Sequence, residues 1–200
     1  MNTLQYIVDK YKVDLNSKVP IGLNFSRWKE LPILFKELGF KKGVEIGTYR
    51  GQFAETMCKL IPELDLTCVD AWTVYKGYKD YGVNDLETVA YAEAKTRSEK
   101  HGFKLMKAWS LDAVKNFEDE SLDFVFIDGN HDFRHVTEDV DEWSKKVKKG
   151  GIVAGHDFFR NHHKGFGVRE AIPAWCQAND IKPLFVVKAD HCPSWFFVKK

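Results

Sequence analysis

Leu122-Asp-Phe-Val-Phe-Ile-Asp-Gly-Asn-His131 runs into a helix-patterned segment and returns as Gly150-Gly-Ile-Val-Ala-Gly-His-Asp157. The apolar runs Leu122 to Asp128 and Ile152 to Ala154 read as buried strands, each leading to an acid. Between them Val136, Val140, Trp143 and Val147 recur at offsets of four, seven and eleven residues, the stripe of an amphipathic helix. Lys145, Lys146, Lys148 and Lys149 then face water or cap the C-terminal dipole before Gly150 and Gly151 stop the helix. A strand-helix-strand unit of this kind brings Asp128 and Asp157 to one edge of a parallel sheet. Their mutual repulsion is relieved by a hard cation between them, or by a ligand hydroxyl or amine on one of them.

The same alternation extends in both directions. Ser26 to Gly39 reads as a short helix with an N-cap and a glycine stop, and Gly43 to Gly47 as a strand. Phe53, Met57, Leu60 and Ile61 mark a second helix closed by Pro62, and Leu66 to Asp70 a second strand. Phe103 to Trp109 is a third strand and Leu111 to Phe117 a short helix. Val168 to Ala178 is helical, and Leu184 to Val187 and Trp195 to Val198 are two last strands joined by a loop containing Pro193. Strands alternating with helices predict an open, mostly parallel α/β sheet covered on both faces. Trp72 to Lys100 breaks the rhythm: Tyr75, Tyr78, Tyr81 and Tyr91 sit among charges and glycines, as in a substrate lid. Its tyrosines either wall an acceptor or pack over a core edge.

With 200 residues and 44% apolar side chains, the chain reads as one domain, residues 1–200, with a helical N-terminal extension over 1–40 and the lid over 72–100. Thirty basic residues nearly cancel twenty-nine acidic ones, which gives no reason to expect a nucleic acid or a membrane as partner. Met1 to Asp14 lacks the pattern of a signal peptide, and no segment is apolar for long enough to span a bilayer. Cys58, Cys68, Cys176 and Cys192 have neither Cys-x-x-Cys nor framework spacing, so they read as reduced thiols of a cytoplasmic protein. Whether the chain forms a homo-oligomer is not legible.

Val44-Glu-Ile-Gly-Thr-Tyr-Arg-Gly51 places a Gly-x-x-x-Gly turn where the first core strand passes into a helix. Asp70, ending the next strand, is placed to accept both ribose hydroxyls of a nucleoside. With Glu45 beside the turn, the ligand implied carries a charged amine rather than a pyrophosphate.

Glu45 to Gly51, Asp70, Ser110, Phe126-Ile-Asp-Gly-Asn-His131 and Gly150 to Asp157 together resemble class I S-adenosylmethionine-dependent methyltransferases, in the branch of metal-dependent small-molecule O-methyltransferases, family 24-like. The resemblance covers roughly residues 41–200 and implies a Rossmann-like α/β fold, a mostly parallel seven-stranded sheet with an antiparallel last strand. It implies that Glu45, Gly47, Thr48, Tyr49 and Gly51 surround the methionine part of the cofactor. Asp70 would hold the ribose, and Ala71 and Trp72 would lie beside the adenine. Trp109 and Ser110 would complete the adenine pocket, and Asp128 would sit near the sulfonium; Ser110 reads equally as a helix N-cap.

The resemblance further implies that Asp128 and Asp157, with His156 beside them, hold Mg2+ or Mn2+, which binds the acceptor hydroxyl and lowers its pKa. The chain departs from the branch at His156, since an imidazole suits Mn2+, Fe2+ or Zn2+ better than Mg2+. His131 is the candidate general base, with Asp128 as its catalytic partner; its other reading is a helix-terminal histidine bonded to a loop. His131 and His135 also form His-x-x-x-His, without the adjacent glutamate of a zinc protease. His162 and His163 read as solvated or substrate-facing.

The expected activity is methyl transfer from S-adenosylmethionine to a hydroxyl of a small-molecule acceptor, a sugar or a phenol. A nicotinamide-dependent oxidoreductase would need the Gly-x-Gly-x-x-Gly that is missing here. A nucleic-acid methyltransferase would show Asn/Asp-Pro-Pro-aromatic where this chain has Asp128-Gly-Asn-His. A non-catalytic cofactor-binding module is the remaining alternative.

Overall fold

The computed structural model describes residues 2–73, 86–159 and 165–200. Tyr75, Tyr78, Tyr81, most of the expected lid's first half, and His162 and His163 lie outside the described residues. The chain order is α1 (Thr3–Tyr11), β1 (Ile21–Leu23), α2 (Arg27–Glu37), β2 (Lys42–Ile46), α3 (Gln52–Leu60) and β3 (Asp65–Asp70). After a π-helical turn, Leu86–Ala90, come α4 (Tyr91–His101), β4 (Lys104–Lys107), α5 (Ser110–Ala113) and β5 (Leu122–Ile127). The last elements are α6 (Phe133–Lys146), β6 (Val147–Gly155), α7 (Val168–Ala178), β7 (Phe185–Val187) and β8 (Ser194–Val198).

The strands form one sheet of order β1-β7-β8-β6-β5-β2-β3-β4. Seven of them make the expected mostly parallel sheet, with β8 antiparallel to both β6 and β7. The eighth, β1, adds a short parallel edge beside β7. Its three residues lie in the segment expected to be helical extension, and its outer residues Ile21 and Leu23 are buried while Gly22 is exposed.

The buried strands read as near-continuous apolar runs because helices cover both faces. In β5, Phe124 and Phe126 point into the layer beneath α1, α2 and α3, while Val125 and Ile127 point into the layer beneath α6 and α7. Phe35 of α2 stacks on Phe124 at 4.2 Å. On the other face Val136, Val140 and Trp143 of α6 are buried, the stripe that the sequence predicts. Each such side chain contributes roughly 1.5–3 kcal/mol on burial.

Helix α6 ends earlier than its periodicity suggests. Val147 is already the first residue of β6 and pairs with Leu122, and Lys148 bonds Asp123 from the strand at 3.0 Å. A β-branched residue fits the pleat as well as the helix, and full burial against β5 decides for the strand. Gly150 and Gly151 therefore accommodate an irregularity within β6 rather than a helix stop. Among the described residues no helix is long and apolar enough to cross a membrane.

Candidate active site

The C-terminal ends of β2, β3, β5 and β6 converge on one edge, and two main-chain features bring them together. Asp128 N–H donates to Ile46 C=O at 2.7 Å, and Gly47 N–H donates to Val69 C=O at 2.8 Å. Gly47 has φ +81°, and a Cβ there would stand 1.9 Å from the Asp128 carbonyl oxygen. Only glycine lets the turn after β2 pass so close to the end of β5. Gly51, with φ +76°, precedes α3.

Glu45 lies in β2 just before this turn and is 3% exposed. Its Oε2 and the Thr48 hydroxyl are buried without a hydrogen-bond partner among the described residues. Burial, and then repulsion from Asp128, push the Glu45 carboxyl up to about 8 against smaller opposing effects of the Cys68 thiol, the Thr48 hydroxyl and Arg27. Asp70, ending β3, uses both oxygens to hold the turn: Oδ2 accepts Tyr49 N–H at 2.8 Å and Oδ1 accepts Trp72 N–H at 2.7 Å. Burial raises its carboxyl in spite of these two amides. Each oxygen retains a lone pair for a ligand hydroxyl.

Two residues expected to line the adenine pocket also make contacts within the protein. Trp72 is completely buried, its indole N–H donating to Tyr49 C=O at 2.7 Å and its ring packed on Tyr91 at 4.9 Å. Its side chain braces the turn, and Ala71 stays partly exposed beside it. Ser110 is not an N-cap, since it is the first residue of α5 and Trp109 holds the cap position. Its hydroxyl donates to Asp139 and accepts the Trp143 indole N–H at 2.8 Å. Burial lifts the Asp139 carboxyl to about 6 against that hydrogen bond. Trp109 itself is 47% exposed at the end of this sheet edge.

At the far side of the turn, Asp128 and Asp157 share one imidazole. His131 Nε2 lies 3.3 Å from Asp128 Oδ1 and 3.0 Å from Asp157 Oδ2, and the His131 ring packs on Phe166 at 4.8 Å. His131 precedes the α6 N-cap Asp132, whose carboxylate engages the His135 amide and ring at 2.9 and 2.7 Å. The two histidines therefore do not form a zinc pair on a helix face. Burial opposes ionisation of Asp128, but His156, His131 and Arg27 together outweigh it and hold the carboxyl down to about 2.

The expected trio of Asp128, His156 and Asp157 is split. His156 Nδ1 is fastened to Ser194 Oγ at 2.9 Å, and its Nε2 stands 3.7 Å from Asp157 Oδ1. Among the described residues the groups with metal-ligand spacing are Asp128, His131 and Asp157, and His156, Asp157 and Cys192. Asp157 belongs to both and adopts φ +55°, a conformation that a non-glycine residue holds only when its surroundings enforce it.

Arg27 is the member that sequence reading did not find. It is 8% exposed at the start of α2, with Nη1 3.4 Å from Asp128 Oδ2. Its guanidinium lies over Trp28, Phe53 and Phe126 at 4.6, 5.2 and 5.6 Å. Asp190 positions it, accepting the Arg27 amide at 2.7 Å and the Ser26 hydroxyl at 2.6 Å. Ser26 thus holds the N-cap position without a cap bond of its own, and the carboxylate of Asp190, after β7, accepts the first helical amide instead.

The family model described as "Methyltransferase domain" matches residues 44–158, more than half of the chain. Among curated proteins, the uncharacterized protein y4gI of Sinorhizobium fredii is 27% identical over 144 residues, which are 70% of this chain and 15% of that relative. The chain thus spans only a small part of the curated relative it matches. Solved structures with the same fold include a Staphylococcus aureus protein described as a candidate caffeoyl-CoA O-methyltransferase, with TM-score 0.67, 12% identity, and 98% of this chain and 90% of that one covered. A Bacillus cereus O-methyltransferase in complex with SAH gives TM-score 0.63 at 15% identity over 100% of this chain and 91% of that one. TomG of Streptomyces achromogenes, an O-methyltransferase involved in tomaymycin synthesis and solved in complex with SAM, gives 0.63 at 14% identity with the same coverage.

Proposed function

The chain belongs to the methyltransferase domain family, and from that premise we propose that it moves a methyl group from S-adenosylmethionine to a hydroxyl of a small molecule, a sugar or a phenol. The observation that carries the cofactor is the buried Glu45 at the head of the glycine turn, whose Oε2 has no hydrogen-bond partner among the described residues, with Asp70 at the neighbouring strand end. A buried carboxyl oxygen without a partner is costly, and a ligand ammonium group satisfies it. The two exposed features beside it, Ala71 and the Trp109 ring, leave room for an apolar base. The resemblance to solved O-methyltransferases supports hydroxyl as the acceptor class.

The cofactor supplies a methyl group on a sulfonium, ready for in-line attack. The residues of this chain prepare the acceptor. His131, its Nε2 set between Asp157 and Asp128, is the group that takes the acceptor proton. The two carboxylates then stabilise the imidazolium, and the aromatic face of Phe166 fixes the ring plane. Arg27 keeps Asp128 ionised for this purpose.

The donor set also suits a divalent ion such as Mg2+ or Mn2+. His131 Nε2 lies 3.0 and 3.3 Å from its carboxylate neighbours, and neighbouring ligand atoms around an octahedral ion are about 3 Å apart. Asp128 and Asp157 would hold it, and its charge would lower the acceptor pKa.

Calorimetry with S-adenosylhomocysteine tests the cofactor. Binding by the folded chain, weakened at least tenfold in Asp70→Ala through loss of charge-assisted hydrogen bonds worth about 1.5–3 kcal/mol each, is expected. Absence of binding, or undiminished binding by the variant, refutes it. With a matched acceptor, EDTA separates the two modes of activation. Loss of turnover assigns the ion, and full turnover in chelator that disappears in His131→Gln assigns the base alone.

A further inference from the structure

Asp157 presents its two oxygens to different neighbours. Oδ2 faces His131 at 3.0 Å, and Oδ1 faces His156 at 3.7 Å. On the His156 side a third donor arrives from the other end of the chain, since Cys192 precedes β8. One ligand atom each from His156, Asp157 and Cys192 lies within 4.8 Å of the others. Nothing in the proposed methyl transfer uses this thiol.

The surroundings hold the three side chains in place. Phe158 N–H donates to Pro193 C=O at 2.9 Å, which stitches the segment after β6 to the segment before β8. Ser194, completely buried, engages His156 Nδ1 at 2.9 Å. That contact fixes the ring and turns Nε2 toward Asp157. An outer-shell partner of this kind on one ring nitrogen is the usual companion of metal ligation by the other. Asp157 is held at φ +55° in the same turn.

We propose that His156, Asp157 and Cys192 form a binding site for a transition-metal ion of the zinc class. The donor chemistry selects the ion. A thiolate and an imidazole favour Zn2+, Co2+ or Fe2+ over Mg2+, and three protein ligands leave a fourth tetrahedral position for water or a small ligand. Binding forms the metal–sulfur bond and releases the thiol proton to solvent. Because Asp157 is shared, an ion on its Oδ1 side draws negative charge from the carboxylate that His131 faces through Oδ2, which places the site where it can weaken the support of the base.

Cobalt(II) is the probe. The purified full-length chain, stripped with chelator and kept reduced, is titrated with Co2+ under anaerobic conditions and followed by absorption. One equivalent of Co2+ should bring up a thiolate-to-cobalt charge-transfer band that stoichiometric Zn2+ abolishes. Cys192→Ser should remove the band while binding S-adenosylhomocysteine as the parent does. Ser194→Ala should weaken Co2+ binding by about 10- to 100-fold. Asp128→Asn should leave the band intact, which separates this site from an ion on Asp128 and Asp157. Cobalt bound without a thiolate band overturns the proposal, as does a band that survives Cys192→Ser, which would come from another cysteine. Parent-like cofactor binding by Cys192→Ser shows that loss of the band is not unfolding. Failure to bind S-adenosylhomocysteine by every form, with the band present, would strike the methyl-transfer reading and leave the metal site standing.

Discussion

Replacing Glu45 by Gln should flatten the pH dependence of stability and stabilise the ligand-free protein above neutrality. In the folded chain burial and Asp128 raise the carboxyl from its ordinary 4.5 to about 8. Below pH 4.5 the group is protonated in both the folded and the unfolded chain and has no differential effect. Between those values the unfolded chain ionises while the folded chain keeps the proton, so stability falls with rising pH. The fall is complete once pH passes through about 8. A gap of about 3.5 between the two values, at 1.36 kcal/mol each, sets the loss at about 5 kcal/mol. Gln has the same shape and no charge, so Glu45→Gln should lose this slope and outlast the parent in urea at pH 8.5 by several kcal/mol. The same substitution removes the partner for a cationic ligand, and S-adenosylhomocysteine should bind less tightly. Urea titrations of both proteins at pH 5, 6.5 and 8.5 give the stabilities. Parallel pH profiles for parent and variant would refute the reasoning, because they would mean that Glu45 is ionised at no cost.

Gly47→Ala sets a Cβ against the Asp128 carbonyl at 1.9 Å and imposes φ +81° on a residue with a side chain. Main-chain strain alone costs about 1–2 kcal/mol, so the variant should melt early and bind S-adenosylhomocysteine poorly; a parent-like melting temperature would contradict the close approach. Ser110→Ala deprives both Asp139 and the Trp143 indole of a partner, which should cost about 1–3 kcal/mol in a urea titration. A neutral result would mean that the hydroxyl is not needed by either group. Arg27→Met retains the buried stem but removes the guanidinium from Asp128, and a destabilisation of about 3 kcal/mol is expected for breaking a buried pair. A more stable variant would show that His131 and His156 alone compensate Asp128.

The central sheet was legible because burial on both faces leaves a simple mark. Phe124, Val125, Phe126 and Ile127 are apolar without alternation, since each face of β5 is covered by helices. The strand-end acids Asp70 and Asp128 and the glycine turn could be placed for the same reason, because strand ends fix where such residues sit. The end of α6 was not legible, as Val147 suits both helix and strand and only its pairing with Leu122 decides. Strand β1 is too short for periodicity to register. That Trp72 is buried against Tyr91 is not legible from its position beside Asp70. Arg27 carries no local signal at all. Its role is created by a contact across 101 residues, and the proposed role of Cys192 likewise rests on a distant partner, Asp157, reached through the antiparallel pairing of β8 with β6.

The acids at the sheet edge raised an electrostatic question, and the fold answers it differently for each. Asp128 is ionised because a guanidinium and two imidazoles surround it, and that arrangement needs no bound ion. For Glu45 the Cys68 and Thr48 contacts and the Arg27 charge do not overcome its burial and the field of Asp128, so a proton neutralises it. Asp157 lies between two histidines and is the one carboxylate that can be offered to either side. The three solutions differ in what a ligand must displace. A cation arriving at Glu45 has only a proton to replace, whereas one arriving at Asp128 must compete with the Arg27 guanidinium, which cannot leave. On that ground the turn at Glu45 is the more open receptor for a charged ligand, and Asp128 serves better as a fixed charge that orients what has already bound.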